Sequence, residues 1–224
     1  MVILVALGFW PDGRREVLDW QIARGEDHKE WEALVHRLWE RGCQPEQGLQ
    51  LIVRDGSGGL GEALALMYGA TVPEQRCIFH TLQNVATRCR SKLKGKENRD
   101  LRKQVLEQAA AVYHAENASE ARRHLIQWSE QWCVQAPQSV ATLERDFEQT
   151  LVFYTISGLA PQWVRTTSVL ERTNRGLRRK LRQTVTFGSQ RGPKRPSTCK
   201  CGDCMLAGPS KLGGRFLTRC ISTS

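Results

Sequence analysis

The sequence predicts an α/β fold, a sheet whose strands alternate with helices and which is interrupted by a long all-helical block. Three observations carry this. The chain starts with two strand-like runs around a Pro-Asp-Gly turn signal. Short apolar runs then alternate with helix-periodic segments up to about residue 80. From about Thr81 to Phe147 the pattern is helical throughout, with Pro137 the only proline.

Residues 2–10 (VILVALGFW) read as a buried strand and 14–22 (RREVLDWQI), which alternate in part, as its hairpin partner. Glu26 to Arg41 is an amphipathic helix. Its stripe Trp31, Leu34, Val35, Leu38 falls at i, i+3, i+4, i+7, and Gly42 follows the last turn. Leu49 to Arg54 reads as a strand ending at Asp55, 56–59 as a turn, and Leu60, Ala63, Leu64, Met67 as the stripe of the next helix. A further strand fits around Arg76 to Phe79. After a loop with Gly158 and Pro161, a last helix runs from Thr167 or Ser168 to about Gln183. The expected organisation is 1–80 first part of the core, 81–150 helical insertion, 151–188 rest of the core, and 189–224 an irregular basic tail.

With 224 residues, 40% of them hydrophobic, the chain is long enough to bury one sizeable core, with or without an inserted subdomain. The net charge of +10 is unevenly spread. From Arg165 onward there are 14 Lys/Arg against two acids, Glu171 and Asp203, so the earlier residues carry −2. A phosphate backbone is the natural partner of such a block, although a charge run taken alone is more often a solvated tail. Val2 to Trp10 has no basic lead-in and no small-residue cleavage site, and it is too short to span a bilayer. Of the eight cysteines, Cys43, Cys77, Cys89 and Cys133 lack framework spacing, so reduced thiols in a cytoplasmic protein are expected.

Asp55 sits where a predicted strand stops, a place where sheet side chains converge on ligands and where a carboxylate can hold Mg²⁺. An Asp-Gly pair between strand and helix is more often simple turn chemistry. Glu171 lies in the first turn of the last helix and shares a face with Arg175, Arg178 and Arg182. This fits an ordinary i, i+4 ion pair with Arg175, or a metal-binding carboxylate beside a phosphate track. Arg179 and Lys180 extend the basic run. Cys77-x-x-His80 is half of a zinc pattern without a convincing second half. Cys199, Cys201, Cys204 and Cys220 lack standard finger spacing. No GxxxxGK[ST] or G-x-S-x-G run is present, which argues against a P-loop nucleotidase and an α/β hydrolase.

Four segments in order, ALGFWPDGRREVL, LIVRDGSGGLGEA, QRCIFHTLQN and TTSVLERTNRGLRRKLR, resemble the IS256/Mutator-like insertion-sequence transposases. The resemblance covers residues 2 to about 187. It implies a ribonuclease-H-like core interrupted by a helical insertion, and an Asp-Asp-Glu triad holding two Mg²⁺ or Mn²⁺ ions for phosphoryl transfer on DNA. Asp55 matches the second aspartate and Glu171 the glutamate, ahead of Asn174-Arg175, while Cys77 and His80 match an architectural C-x-x-H signature. The arginine face, with Arg179 and Lys180, would contact DNA. Homo-oligomers and a place in the bacterial cytoplasm at the nucleoid are implied as well.

The family's first aspartate has no counterpart here. Its strand would lie upstream of the hairpin, so the chain is expected to be truncated at the N-terminus, lacking the first core strand. That strand is central in the implied core, between the first strand of the hairpin and the one ending at Asp55. Two bare inner edges are therefore expected, together with instability and loss of activity. The alternative is a non-catalytic DNA-binding remnant that interferes with intact transposase.

Overall fold

The structure is a computed structural model that describes residues 2–10, 14–158 and the backbone of 215–222. It is a mixed α/β arrangement, mostly helical, with one small sheet. β1 (Val2–Phe9) and β2 (Arg15–Ala23) pair antiparallel, with a register shift after Ala6 that leaves Leu18 as the extra residue. α1 (His28–Glu40) starts at Asp27, whose carboxylate accepts from the Glu30 amide and so satisfies one of the free N–H groups of the first turn. It ends where Gly42 takes a positive φ of 91°. β3 (Ile52–Arg54), α2 (Gly58–Tyr68) and β4 (Glu74–Arg76) follow. The helical block is α3 (Ile78–Lys92), α4 (Arg99–Ala111), α5 (Ala118–Trp132) and α6 (Pro137–Phe147). Pro137 opens α6, where its missing N–H removes nothing.

The two faces of the sheet sort by strand parity. Leu4, Ala6 and Ile52 face α1 and α2, joining Trp31, Leu34, Val35, Leu38, Leu60 and Leu64 in one core. Val5, Leu7, Phe9, Leu51 and Val53 face the helical block, where Val85, Val105, Leu143 and Phe147 complete a second. The sheet is thus sandwiched, and the helical block is tied to it by more than apolar contact. Gln75 on β4 is fully buried, and its side-chain oxygen accepts from the Phe153 amide at 2.7 Å.

Two expectations are corrected here. Residues 215–222, expected to be irregular, form β5 (Arg215–Ser222). The inner edges of β1 and β3 are not bare, because the sheet order is β2-β1-β5-β3-β4, with β5 antiparallel to β1 and parallel to β3. Two facing rows of unpaired backbone groups are a strong template for a strand, strong enough to override a weak local pattern. A smaller difference is the strand expected at 76–79, which lies at Glu74–Arg76, because the apolar run after Cys77 already belongs to α3. The last helix and the residues between 158 and 215 lie outside the described residues. Among the described residues, no helix is long and apolar enough to cross a membrane.

Candidate functional site at the carboxyl ends of β3 and β4

β3 and β4 run parallel in the register Ile52↔Glu74, Val53↔Gln75, Arg54↔Arg76, so their carboxyl ends and following loops lie side by side. Asp55 follows β3 directly and is half-buried. Its Oδ1 accepts from the Ser57 amide at 3.0 Å, the turn chemistry an Asp at this place commonly supplies. Gly56 then takes a φ of 94°. A side chain is excluded there twice over, since a Cβ would fall inside the guanidinium of Arg76. The next helix begins one residue after Ser57, and Gly59 in its first turn packs against the backbone of residues 26–28, leaving no room for a Cβ.

Beyond β4, the Cys77 amide donates to the Arg54 carbonyl at 2.8 Å, extending the pairing by one bond before α3 starts. The Cys77 side chain is buried in the core under the helical block. His80 lies in the first turn of α3, with its ring edge-on to Phe79 at 5.5 Å between centroids. This pair thus stands at the root of the helical block, beside the loop that carries Asp55. Among the described residues, no three His, Cys, Asp or Glu side chains stand close enough to hold a metal ion.

Ion pairs that periodicity does not reveal frame the site. Arg54 donates to Glu74 at 2.7 Å across the two strands. Arg76, lying over Gly56, meets Asp146 of α6 at 3.2 Å. Asp146 is buried and also takes two bonds from Arg145, at 2.9 and 3.0 Å. Hydrogen bonding from Arg145, opposed by burial and assisted by the charge of Arg76, holds its carboxyl below the ordinary value. The Arg76–Asp146 pair thus joins the end of β4 to the last helix of the block. Arg76 is adjacent to the C-x-x-H motif and was findable by position. Asp146 carries no local signal, because its partner is 70 residues away.

The other aspartate on the hairpin is engaged elsewhere. Asp19 on β2 is buried, accepts from Arg37 of α1 at 2.8 Å, and accepts from the Trp20 amide at 2.7 Å. Cys43 is buried far from these loops, and burial pushes its thiol up to about 12, so it remains an inert core thiol. Glu171, Arg175, Arg178, Arg179, Lys180, Arg182, Cys199, Cys201 and Cys204 lie outside the described residues, and Cys220 falls on β5.

Comparison with known proteins adds what the geometry of one loop does not. A family model described as Transposase, Mutator family, matches residues 1–196. The chain belongs to the Mutator family of transposases. Its relatives include the transposase for insertion sequence element ISRM5 from Rhizobium meliloti, 31% identical over 181 residues, which are 80% of this chain and 42% of the relative. Another is the transposase for IS406 from Burkholderia multivorans, 31% identical over 185 residues, 83% of this chain and 45% of the relative. The transposase for IS256 in transposon Tn4001 from Staphylococcus aureus is 29% identical over 192 residues, 85% and 46% respectively. This Mutator-family chain therefore spans less than half the length of the curated relatives it matches.

Proposed function

We propose that this chain is the catalytic-domain portion of an insertion-sequence transposase, with a ribonuclease-H-like core in which Asp55 and Glu171 hold divalent metal ions against DNA. The observation that carries the reading is the position of Asp55. It stands at the carboxyl end of a central parallel strand, in the Asp-Gly-x-x-Gly-Leu context of the family match. Such strand ends are where open sheets bind ligands. The sheet order, with a hairpin on one side and a parallel pair on the other, is consistent with a core of that kind.

The donor set fits Mg²⁺ or Mn²⁺ in part. Asp55 uses one oxygen for the Ser57 amide, and Mg²⁺ needs only one or two carboxylates besides water and phosphate oxygens. When bound, the metal would activate an attacking water or DNA 3′-hydroxyl and steady the leaving oxygen. Asp55 and Glu171 would hold it, Gly56 keeps the loop clear of side-chain bulk, and the Arg76–Asp146 pair fixes the loop from below. The basic face Arg175, Arg178, Arg179, Lys180 and Arg182 would grip the flanking DNA backbone, and Cys77 with His80 would brace the helical block. As the family implies, the intact enzyme would act as a homo-oligomer on element ends and target DNA in the bacterial cytoplasm, at the nucleoid.

One observation favours the second reading, a non-catalytic DNA-binding remnant that interferes with intact transposase. Neither β1 (VILVALGF) nor β5 (RFLTRCIS), the strands nearest Asp55 on the hairpin side, contains an acid. A triad assembled from this chain alone lacks its third carboxylate, so the chain is expected to bind DNA without cutting it. Binding to a short linear duplex should weaken steeply with salt. If all five cations of the basic face meet phosphates, log K should fall against log salt with a slope of about −4.5. Arg178→Ala and Arg182→Ala should each flatten that slope by about 1. A salt-independent affinity would sink the assignment of the basic face. Mg²⁺-dependent strand cleavage by the chain alone would decide against the remnant reading.

A further inference from the structure

The strand at the centre of the sheet comes from the far end of the sequence. β5 pairs with β1 over eight positions, from Val2↔Ser222 to Phe9↔Arg215, and with β3 over two, Ile52↔Phe216 and Val53↔Leu217. No other strand in the sheet is paired on one side antiparallel and on the other parallel. Without it, the hairpin β1–β2 and the pair β3–β4 would be two separate ribbons, each too small to be stable in water by itself. Both cores span the gap. Leu4 and Ala6 share one face with Ile52, and Val5 and Leu7 share the other with Val53, so the two ribbons must stay at a distance only an intervening strand fills.

We propose that the gap between β1 and β3 is a strand-binding slot and that residues 215–222 of the same chain are its occupant, closing the sheet in cis. The slot selects an extended segment antiparallel to β1. The backbone supplies most of the recognition, which explains how RFLTRCIS serves there without a regular apolar alternation. The register sets the side-chain partners. Cys220 stands directly opposite Leu4, and Thr218 opposite Ala6. Directly opposed residues of antiparallel strands have Cα atoms about 4.5–5.5 Å apart, within the range a disulfide spans.

The test uses the full chain and its own thiol. Leu4→Cys, oxidised with copper phenanthroline, is expected to form an intrachain disulfide to Cys220, read by non-reducing electrophoresis and peptide mapping. Ala6→Cys, whose opposite residue is Thr218, should give several-fold less crosslink to Cys220. Because Leu4 is fully buried and its replacement may unfold the chain, the triple variant Ala6→Cys, Thr218→Cys, Cys220→Ser checks the same register two residues along. Crosslinks in register and within one chain support the slot and its occupant. Equal crosslinking of Cys220 to positions 4 and 6, no crosslink in either design, or crosslinks found only between two copies would overturn it. None of these readouts depends on metal or DNA, so a failure here leaves the proposed function standing.

Discussion

Asp146→Ala is expected to lower folding stability by about 3 kcal/mol, because it leaves the guanidinium of Arg76 buried without its partner. For a chain of this size that corresponds to a melting temperature lower by roughly 6–12 °C. Arg145, which also binds Asp146, is mostly exposed, so Arg145→Ala should change stability by less than about 1 kcal/mol. The pH dependence has a definite sign. The carboxyl of Asp146 is held below its ordinary value of 3.8, so its contribution is present above that pH and is lost as pH falls through the lower folded value. The gap between wild type and Asp146→Ala should therefore be full near neutrality and narrow below about pH 4. Denaturant titrations at neutral and acid pH check both. An Asp146→Ala chain as stable as wild type at neutral pH would mean that Arg76 finds other partners.

Gly56→Ala is expected to be nearly as damaging, for two reasons that can be separated. An alanine at a φ of 94° carries about 1–2 kcal/mol of backbone strain. Its Cβ would also occupy the place of the Arg76 guanidinium and push it off Asp146. If the second effect operates, the two substitutions share a partner, and the double variant Gly56→Ala/Asp146→Ala should be less destabilised than the sum of the singles by more than about 0.5 kcal/mol. Simple additivity would show that Arg76 relocates freely and that the loop and α6 are not coupled through it.

What the sequence disclosed of this molecule follows from how local each signal is. The hairpin, α1 and its closing glycine are written in neighbouring residues. Trp31, Leu34, Val35 and Leu38 fall on one face, Asp27 caps the start and Gly42 turns the end, so these elements stand where periodicity put them. Asp55 was legible for the same reason, as an acid between an apolar run and a glycine turn. β5 was not. Its residues carry no alternation, and its strand conformation is imposed by the edges of β1 and β3, some 160 to 220 residues earlier in the chain. Asp146 was hidden for a related reason: it lies on a helix with an ordinary amphipathic pattern, and its meaning comes from Arg76 across the fold. The ribbon of glycines at 56–59 belongs to both classes. Its turn was evident in sequence, but the arginine that fills the space above Gly56 was visible only in three dimensions.

The central claim is that Asp55 and Glu171 form one metal-binding place at the end of β3. The most direct measurement is iron-mediated backbone cleavage of the full chain, with Fe²⁺, ascorbate and peroxide supplied in place of Mg²⁺. Hydroxyl radicals produced at a bound iron cut only nearby peptide bonds, and the fragments locate it. The account predicts cuts clustered around Asp55 and Glu171, suppressed by excess Mg²⁺ and abolished by Asp55→Ala. Cuts confined to other segments, such as the one holding Cys199, Cys201 and Cys204, or cuts indifferent to Asp55→Ala, would contradict it.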